Sequence, residues 1–165
     1  MTEAIIGFFE SLNLTKESLV FLISMIPIVE LRGAIPVGVA LGIDSLPLYF
    51  LTVLGNCLPA PFIILLARPV INWLLKTRAL KGLGCWLENK VRKHSDKVLK
   101  YEVFGLLLFV AIPLPGTGAW TGALIAALLD IRLKKSFPSI LLGVMIAGII
   151  MLFGSNIVKF LVGLF

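Results

Sequence analysis

IPIVELRGAIP, residues 26–36, places two charged side chains between two prolines inside a run that otherwise suits a lipid bilayer. A charge at the centre of a bilayer costs about 2.5–3.5 kcal/mol on insertion scales, so such residues usually face the protein interior, pair, or line a water-filled path. Proline removes a backbone donor and disfavours helix before it, so a turn is inexpensive here. The stretch therefore predicts a broken membrane segment in which Glu30 and Arg32 have a function.

The composition predicts a membrane protein. Of 165 residues, 59% are hydrophobic and 15% charged, with a mean hydropathy of +1.04, whereas soluble domains carry about 25% charged residues. The apolar runs 46–67 and 137–153 approach or exceed the length that crosses a hydrocarbon core of about 30 Å. We predict one all-α integral membrane domain over residues 1–165, with no separate soluble domain.

The remaining segments have different characters. Residues 1–15 carry apolar side chains between acids and predict a short N-terminal interfacial helix, and residues 154–165 are a C-terminal tail. Between Arg68 and Glu102, nine Lys/Arg outnumber three acids. Such a cluster beside a span is typical of cytoplasmic loops that contact anionic headgroups. Residues 68–100 therefore predict a basic amphipathic cytoplasmic helix, and membrane lipids rather than nucleic acid as partners.

Residues 17–67 and 101–153 share one order of features, which indicates an internal duplication. Each copy has an apolar arm ending in Ile-Pro, a stretch broken by proline and glycine, and a second arm rich in small residues. A Ser-x-Pro then opens a longer apolar run, at residues 45–47 and 136–138. Serine as cap and proline in the first turn predict matched helix starts.

The arms are too short to span a bilayer. Residues 18–27, 34–43, 103–112 and 117–129 would form helices of about 15–20 Å, half to two-thirds of the roughly 30 Å needed. We predict an inverted repeat of two re-entrant helical hairpins, each followed by a transmembrane helix. In the alternative interpretation each arm pair is one kinked span, which would export the basic cluster 132–135 against the positive-inside rule. Both topologies stay open.

The two broken stretches supply the candidate binding residues. Arg32 offers a fork suited to phosphate or carboxylate, and Glu30 is a candidate proton carrier because burial and the neighbouring cation affect its ionisation in opposite directions. In PLPGTGAWTG, residues 113–122, the helix start would attract an anion, and a threonine could cap that helix. The predicted substrate and ion site comprises Glu30, Arg32, Gly33, Gly116, Thr117, Gly118 and Trp120, with the two loops meeting at the bilayer midplane.

Structural roles for the same residues stay open as alternatives. Glu30 and Arg32 could form an ion pair that joins the hairpins without a ligand. Gly38-x-x-x-Gly42 and Gly118-x-x-x-Gly122 favour close helix contacts, and a homodimer could use the same faces.

ELRGAIP (residues 30–36) and PLPGTGAWTGA (residues 113–123) resemble the small multidrug export protein family, a distant relative of the DedA/VTT superfamily. The similarity covers about residues 19–154. It implies inverted re-entrant loops, a prokaryotic inner-membrane location and a transport role. Relatives in the DedA branch are linked to the flipping of lipid phosphates, including undecaprenyl phosphate. The resemblance assigns Glu30 and Arg32 to the first loop site and residues 116–118 to the second.

Three functions follow as hypotheses. The first is a transporter of an anionic amphiphile such as a lipid phosphate or phospholipid, with protons as a candidate coupling ion. The second is a proton-coupled multidrug exporter, and the third is a membrane scaffold that transports nothing. With one histidine, two separated cysteines and no Ser/His/Asp set, the sequence predicts no enzyme, no catalytic residues, no metal and no cofactor.

Overall fold

A computed structural model describes residues 15–76, 102–114, 116–129 and 131–162. These residues form helices joined by turns, and they contain no strand, so the all-α prediction is confirmed for them. The interfacial helix predicted over residues 1–15 and most of the basic helix predicted over 68–100 lie outside the described residues. The helices are α1 (Lys16–Met25), α2 (Glu30–Ala40), α3 (Ser45–Cys57), α4 (Pro59–Lys76), α5 (Glu102–Ala111), α6 (Ala119–Leu128) and α7 (Leu133–Val162).

The chain divides into two compact units. One contains described residues 15–56 and 148–162, and the other contains residues 57–76, 102–114, 116–129 and 131–147. Each unit holds one pair of short helices, α1 with α2 and α5 with α6.

In the first unit α1 packs against α2. Thr15 begins α1 because its hydroxyl accepts a hydrogen bond from the Ser18 N–H at 3.3 Å, which satisfies one of the helix's free amides. Apolar side chains of α1, α2 and α3 then form a buried core. The largest of them are Leu31, Ile35, Leu48 and Val20.

The turn between α1 and α2 lies at residues 26–29, earlier than the sequence indicated. We expected the second arm to start near Gly33, but α2 begins at Glu30 and includes Pro36. Pro27 favours a break after α1, and i→i−4 hydrogen bonding resumes where the Glu30 N–H donates to the Ile26 carbonyl at 3.0 Å. Pro36 then removes only one helical hydrogen bond, which the packed helix tolerates.

The second arm of each pair ends in the same way. After α2, Gly42 has φ 74° and the Ile43 N–H bonds to the Gly38 carbonyl at 3.0 Å, which is a Schellman C-cap. After α6, the Ile131 N–H bonds to the Ala126 carbonyl at 3.0 Å. Gly42 is thus a helix cap, and the interpretation of this residue as a helix contact was wrong. The correspondence is what an internal duplication predicts, whereas the inverted orientation stays a prediction.

Among the described residues, two helical stretches are long and apolar enough to cross a membrane, Ser45–Ala67 and Leu133–Val162. A single turn residue, Leu58, interrupts the first of them between α3 and α4. Pro59 and Pro61 lack the N–H groups that would continue the helical bonding at this point, which explains the interruption.

Neither Ser-x-Pro has its serine as the helix cap. α3 begins at Ser45 itself, and the Asp44 carbonyl accepts the Leu48 N–H at 3.1 Å. α7 begins at Leu133, three residues before the serine predicted to cap it. The Ser136 hydroxyl donates instead to the Arg132 carbonyl at 3.2 Å. The same helix continues through residues 154–162, the greater part of the predicted tail.

In the second unit α6 packs against both α4 and α5. Val110 of α5 is in close contact with a glycine on each of two neighbouring helices. A Cβ at Gly122 of α6 would lie 2.7 Å from Val110 Cγ2, and one at Gly143 of α7 would lie 2.8 Å from Val110 Cβ. The predicted close contact at Gly122 is therefore confirmed. Glycine at these positions lets three helices pack around one buried valine.

Candidate functional site

The first loop places Glu30 and Arg32 in the opening turn of α2. Glu30 is 4% exposed, and it interacts electrostatically with the half-buried Arg32. A carboxylate in the first turn is also stabilised by the helix dipole. The sequence left an ion pair between the two residues open as an alternative, and on a regular helix residues two apart do not face each other. The irregular turn before α2 accounts for their interaction.

That turn has an unfavourable backbone. Ile28 has φ 91° and Glu30 has φ 51°. Both values fall in the left-handed region that residues with a Cβ atom usually avoid. Each such residue costs on the order of 1–3 kcal/mol, and it persists only where surrounding structure holds it. Ile28 is 98% exposed, so its side chain contributes nothing to the packing of this unit. Gly33 follows in the first turn of α2, where its N–H donates to the Val29 carbonyl at 3.0 Å.

The second loop turns back on itself through Thr117. The Thr117 hydroxyl lies 2.9 Å from the carbonyls of both Ile112 and Leu114, to which it donates. We expected this threonine to cap α6, and that expectation was wrong, because Gly118 occupies the N-cap position. Gly116 and Gly118 have φ 84° and 131°, which only glycine adopts readily. Thr117 thus stabilises the loop.

The start of α6 has no side-chain cap. The N-cap residue is Gly118, and glycine has no side chain that could accept a hydrogen bond from the first amides of the helix. The first amides of a helix have no partner within the helix, so such a start favours an anion. Trp120 is half-buried in the first turn. The meeting of this loop with the first loop stays a prediction.

The first unit contains a cleft that sequence reasoning missed. It has a volume of about 720 Å³ and lies between the C-terminal halves of α2 and α7. Volumes of about 300–1,000 Å³ are typical of sites for small ligands. The lining is apolar except for one hydroxyl and one lysine. It consists of Pro36, Val39, Ala40, Ile150, Met151, Gly154, Ser155, Val158, Lys159 and Val162.

Two lysines lie at the end of α2, beside or near this cleft. Lys159 Nζ donates to the Val39 carbonyl at 3.3 Å, and Lys16 Nζ donates to the Leu41 carbonyl at 3.4 Å. Cations stabilise the negative end of a helix dipole, and an ammonium retains further donors for a ligand. The sequence signal was present, since Lys159 is the one charge in the last apolar stretch. We had assigned that stretch to a tail.

The described residues hold no group of three His, Cys, Asp or Glu side chains that could bind a metal ion.

A protein-family model described as "Putative small multi-drug export protein" matches residues 30–150, which include Glu30 and Arg32, the second loop and most of α7. The chain belongs to this family. Because the family is one of export proteins and the described residues contain two apolar helices of spanning length, the chain is a membrane protein of transporter type. Neither the comparison with curated proteins nor that with solved structures found a match.

Proposed function

We propose that this small multidrug export family member is a transporter, and no enzyme, that moves an anionic amphiphile such as a lipid phosphate across the prokaryotic inner membrane. The observation that carries the proposal is the cleft of the first unit. Its apolar wall suits a hydrocarbon chain, and Lys159 in that wall suits an anionic headgroup. The DedA resemblance supports the same class of substrate.

In this proposal a second contact for the headgroup comes from the first loop, at the opposite end of α2. Arg32 presents a guanidinium that can bind two phosphate oxygens at once. Glu30 is buried beside it, and it takes up a proton when Arg32 turns to the substrate.

The proposed topology is the re-entrant one. α1 and α2 contain 10 and 11 residues and α5 and α6 contain 10 each, so each is about 15 Å long, half of the hydrocarbon core. Each pair therefore enters and leaves on one side, the first from outside and the second from the cytoplasm. The basic segment 68–100 then lies in the cytoplasm.

Two variants in reconstituted liposomes test the proposal. We expect Arg32→Ala to reduce flipping of a fluorescent lipid phosphate at least tenfold, because a contact to an ionised group is worth about 1.5–3 kcal/mol. Glu30→Gln keeps the shape of the side chain and should slow flipping only where a proton gradient drives it. Arg132→Ala removes an exposed arginine and serves as the matched control, with unchanged flipping. Normal flipping by both loop variants would overturn the assignment.

A second function is favoured by the family description and by the buried carboxylate of Glu30. In a proton-coupled exporter of cationic drugs, Glu30 exchanges a proton for the drug. Glu30→Gln then abolishes drug tolerance in cells, while Arg32→Ala does not reduce it. The scaffold hypothesis predicts that the reconstituted protein moves neither lipid nor drug and that a partner protein co-purifies.

A further inference from the structure

Asn56 is a buried polar side chain without a partner. It is 1% exposed near the end of α3, and neither Oδ1 nor Nδ2 makes a hydrogen bond. No hydrogen-bond partner for either group is found in the described part of the chain. A buried carboxamide with both groups unsatisfied is strongly unfavourable, and native structures rarely keep one without a ligand, ion or water.

Other polar atoms converge on the same helix face. Thr52, Gly55 and Asn56 are spaced i, i+3 and i+4, so they lie on one side of α3. α1 approaches that side closely. A Cβ at Gly55 would collide with Ser24 Oγ and lie 2.7 Å from the Phe21 carbonyl oxygen. Ser24 and Thr52 are both fully buried.

The hydroxyl protons of this cluster are already committed. Ser24 donates to the Phe21 carbonyl at 2.6 Å, and Thr52 donates to the Leu48 carbonyl at 2.8 Å. Each hydroxyl therefore has only oxygen lone pairs left to offer. Together with Asn56 Oδ1, the cluster holds an excess of acceptors in an apolar surrounding.

The end of α3 adds to this excess. Helical bonding would give the Gly55 carbonyl a donor four residues later, but that residue is Pro59, which has no N–H. Backbone carbonyls at interrupted membrane helices are the groups that coordinate sodium ions in secondary transporters. A set of neutral oxygens suits a monovalent cation better than a divalent one, since calcium and magnesium sites rely on carboxylates.

We propose that Asn56, Thr52, Ser24 and the Gly55 carbonyl form a binding site for a small monovalent cation, sodium or lithium. The ion is bound by these oxygens and keeps a water molecule that accepts from Asn56 Nδ2. The role of this ion in coupling rests on the proposed transport function, whereas the binding of the ion does not. The site lies within one compact unit, so binding stabilises the fold of that unit.

Thermal unfolding of the full chain in detergent tests the site. We expect NaCl to raise Tm relative to N-methylglucamine chloride of equal ionic strength, by about 5 °C or more at roughly 100 times Kd. Asn56→Leu and Thr52→Val should lose this difference. Ser139→Ala removes another buried serine that donates to a helix carbonyl, and it should keep the difference.

Two results would overturn the site. The first is an equal Tm of the wild-type chain in both salts. If Asn56→Leu also has a higher Tm than the wild-type chain in each salt, the site holds only a buried water. The other is a sodium-dependent Tm that survives in both Asn56→Leu and Thr52→Val. If the chain flips lipid but its Tm does not respond to sodium, the sodium site is wrong and the transport proposal stands. A sodium response in a chain that moves no lipid supports the site and removes the transport proposal.

Discussion

Ile28 has the least favourable backbone of the first loop, because φ 91° brings a β-branched side chain against its own backbone. Its side chain is 98% exposed, so packing within the unit does not offset the strain. Glu30, two residues later, has φ 51° and is buried beside Arg32. The strained turn therefore positions the carboxylate. A turn that positions a functional group is a common place for such strain.

Replacement of the strained residue by glycine should stabilise the fold. Left-handed backbone costs an L-residue roughly 1–2 kcal/mol, and the extra chain entropy of glycine offsets only part of that gain. We expect Ile28→Gly to raise the free energy of unfolding by about 1 kcal/mol. Unfolding in denaturant from detergent measures the change.

Ile26→Gly is the matched control for this prediction. Ile26 lies in the same turn and is 48% exposed, but its φ is −71°. There glycine relieves no strain, so stability should fall by about 0.5–1 kcal/mol. If both glycine variants lose stability equally, the backbone of Ile28 is not strained.

Helix α7 shows at the scale of an element how one glycine determines packing. Gly143 lies against Val110 of α5, where a Cβ would also come within 2.9 Å of the Leu107 carbonyl oxygen. Gly154, further along the same helix, has no atom within 4 Å of the corresponding position. Both glycines lie inside the same helix, and the atoms that surround them in space differ.

This difference predicts opposite effects of the same substitution. Gly143→Ala should lower Tm, because relief of an overpacked contact costs typically about 1–3 kcal/mol. Gly154→Ala should leave Tm unchanged or raise it, since alanine favours helix by about 0.5–1 kcal/mol over glycine. Thermal scans of both variants in one detergent check the pair. A loss of stability at residue 154 as large as at residue 143 would contradict the packing of α5 against α7.

At the same scale, the bounds of the short helices show what the sequence pattern could and could not predict. The arms predicted at 18–27 and 103–112 correspond to Lys16–Met25 and Glu102–Ala111. The start of α2 was predicted about four residues late, because proline and glycine at 33–36 suggested a break. A proline in a packed helix costs less than the sequence signal implies when neighbouring contacts hold the helix together.

For the whole molecule the decisive question is on which side of the membrane each arm ends. In a Cys57→Ala, Cys85→Ala background, we expect cysteines at Ser18 and Ile43 to react with a membrane-impermeant maleimide from the same, outer side. Arms of about 15 Å cannot reach across a core of about 30 Å. Labelling of intact cells before and after permeabilisation measures this.

The second hairpin provides the internal control for topology. Cysteines at Val103 and Leu129 should both react only after permeabilisation, because the intervening span reverses the direction of entry. Reaction of residues 18 and 43 from opposite sides would show one kinked span in place of a hairpin. The transport proposal would then lose its paired loops.

The sequence by itself determined the helical class, the two apolar runs, the four short arms and the charged residues of the first loop. These features depend on composition, on helix-breaking residues and on chain length, all of which are local. The cleft beside Lys159, the unsatisfied Asn56 and the contacts of Gly143 were decided only by the tertiary structure. Each of these depends on which residues from distant parts of the chain become neighbours, and a local pattern does not encode that.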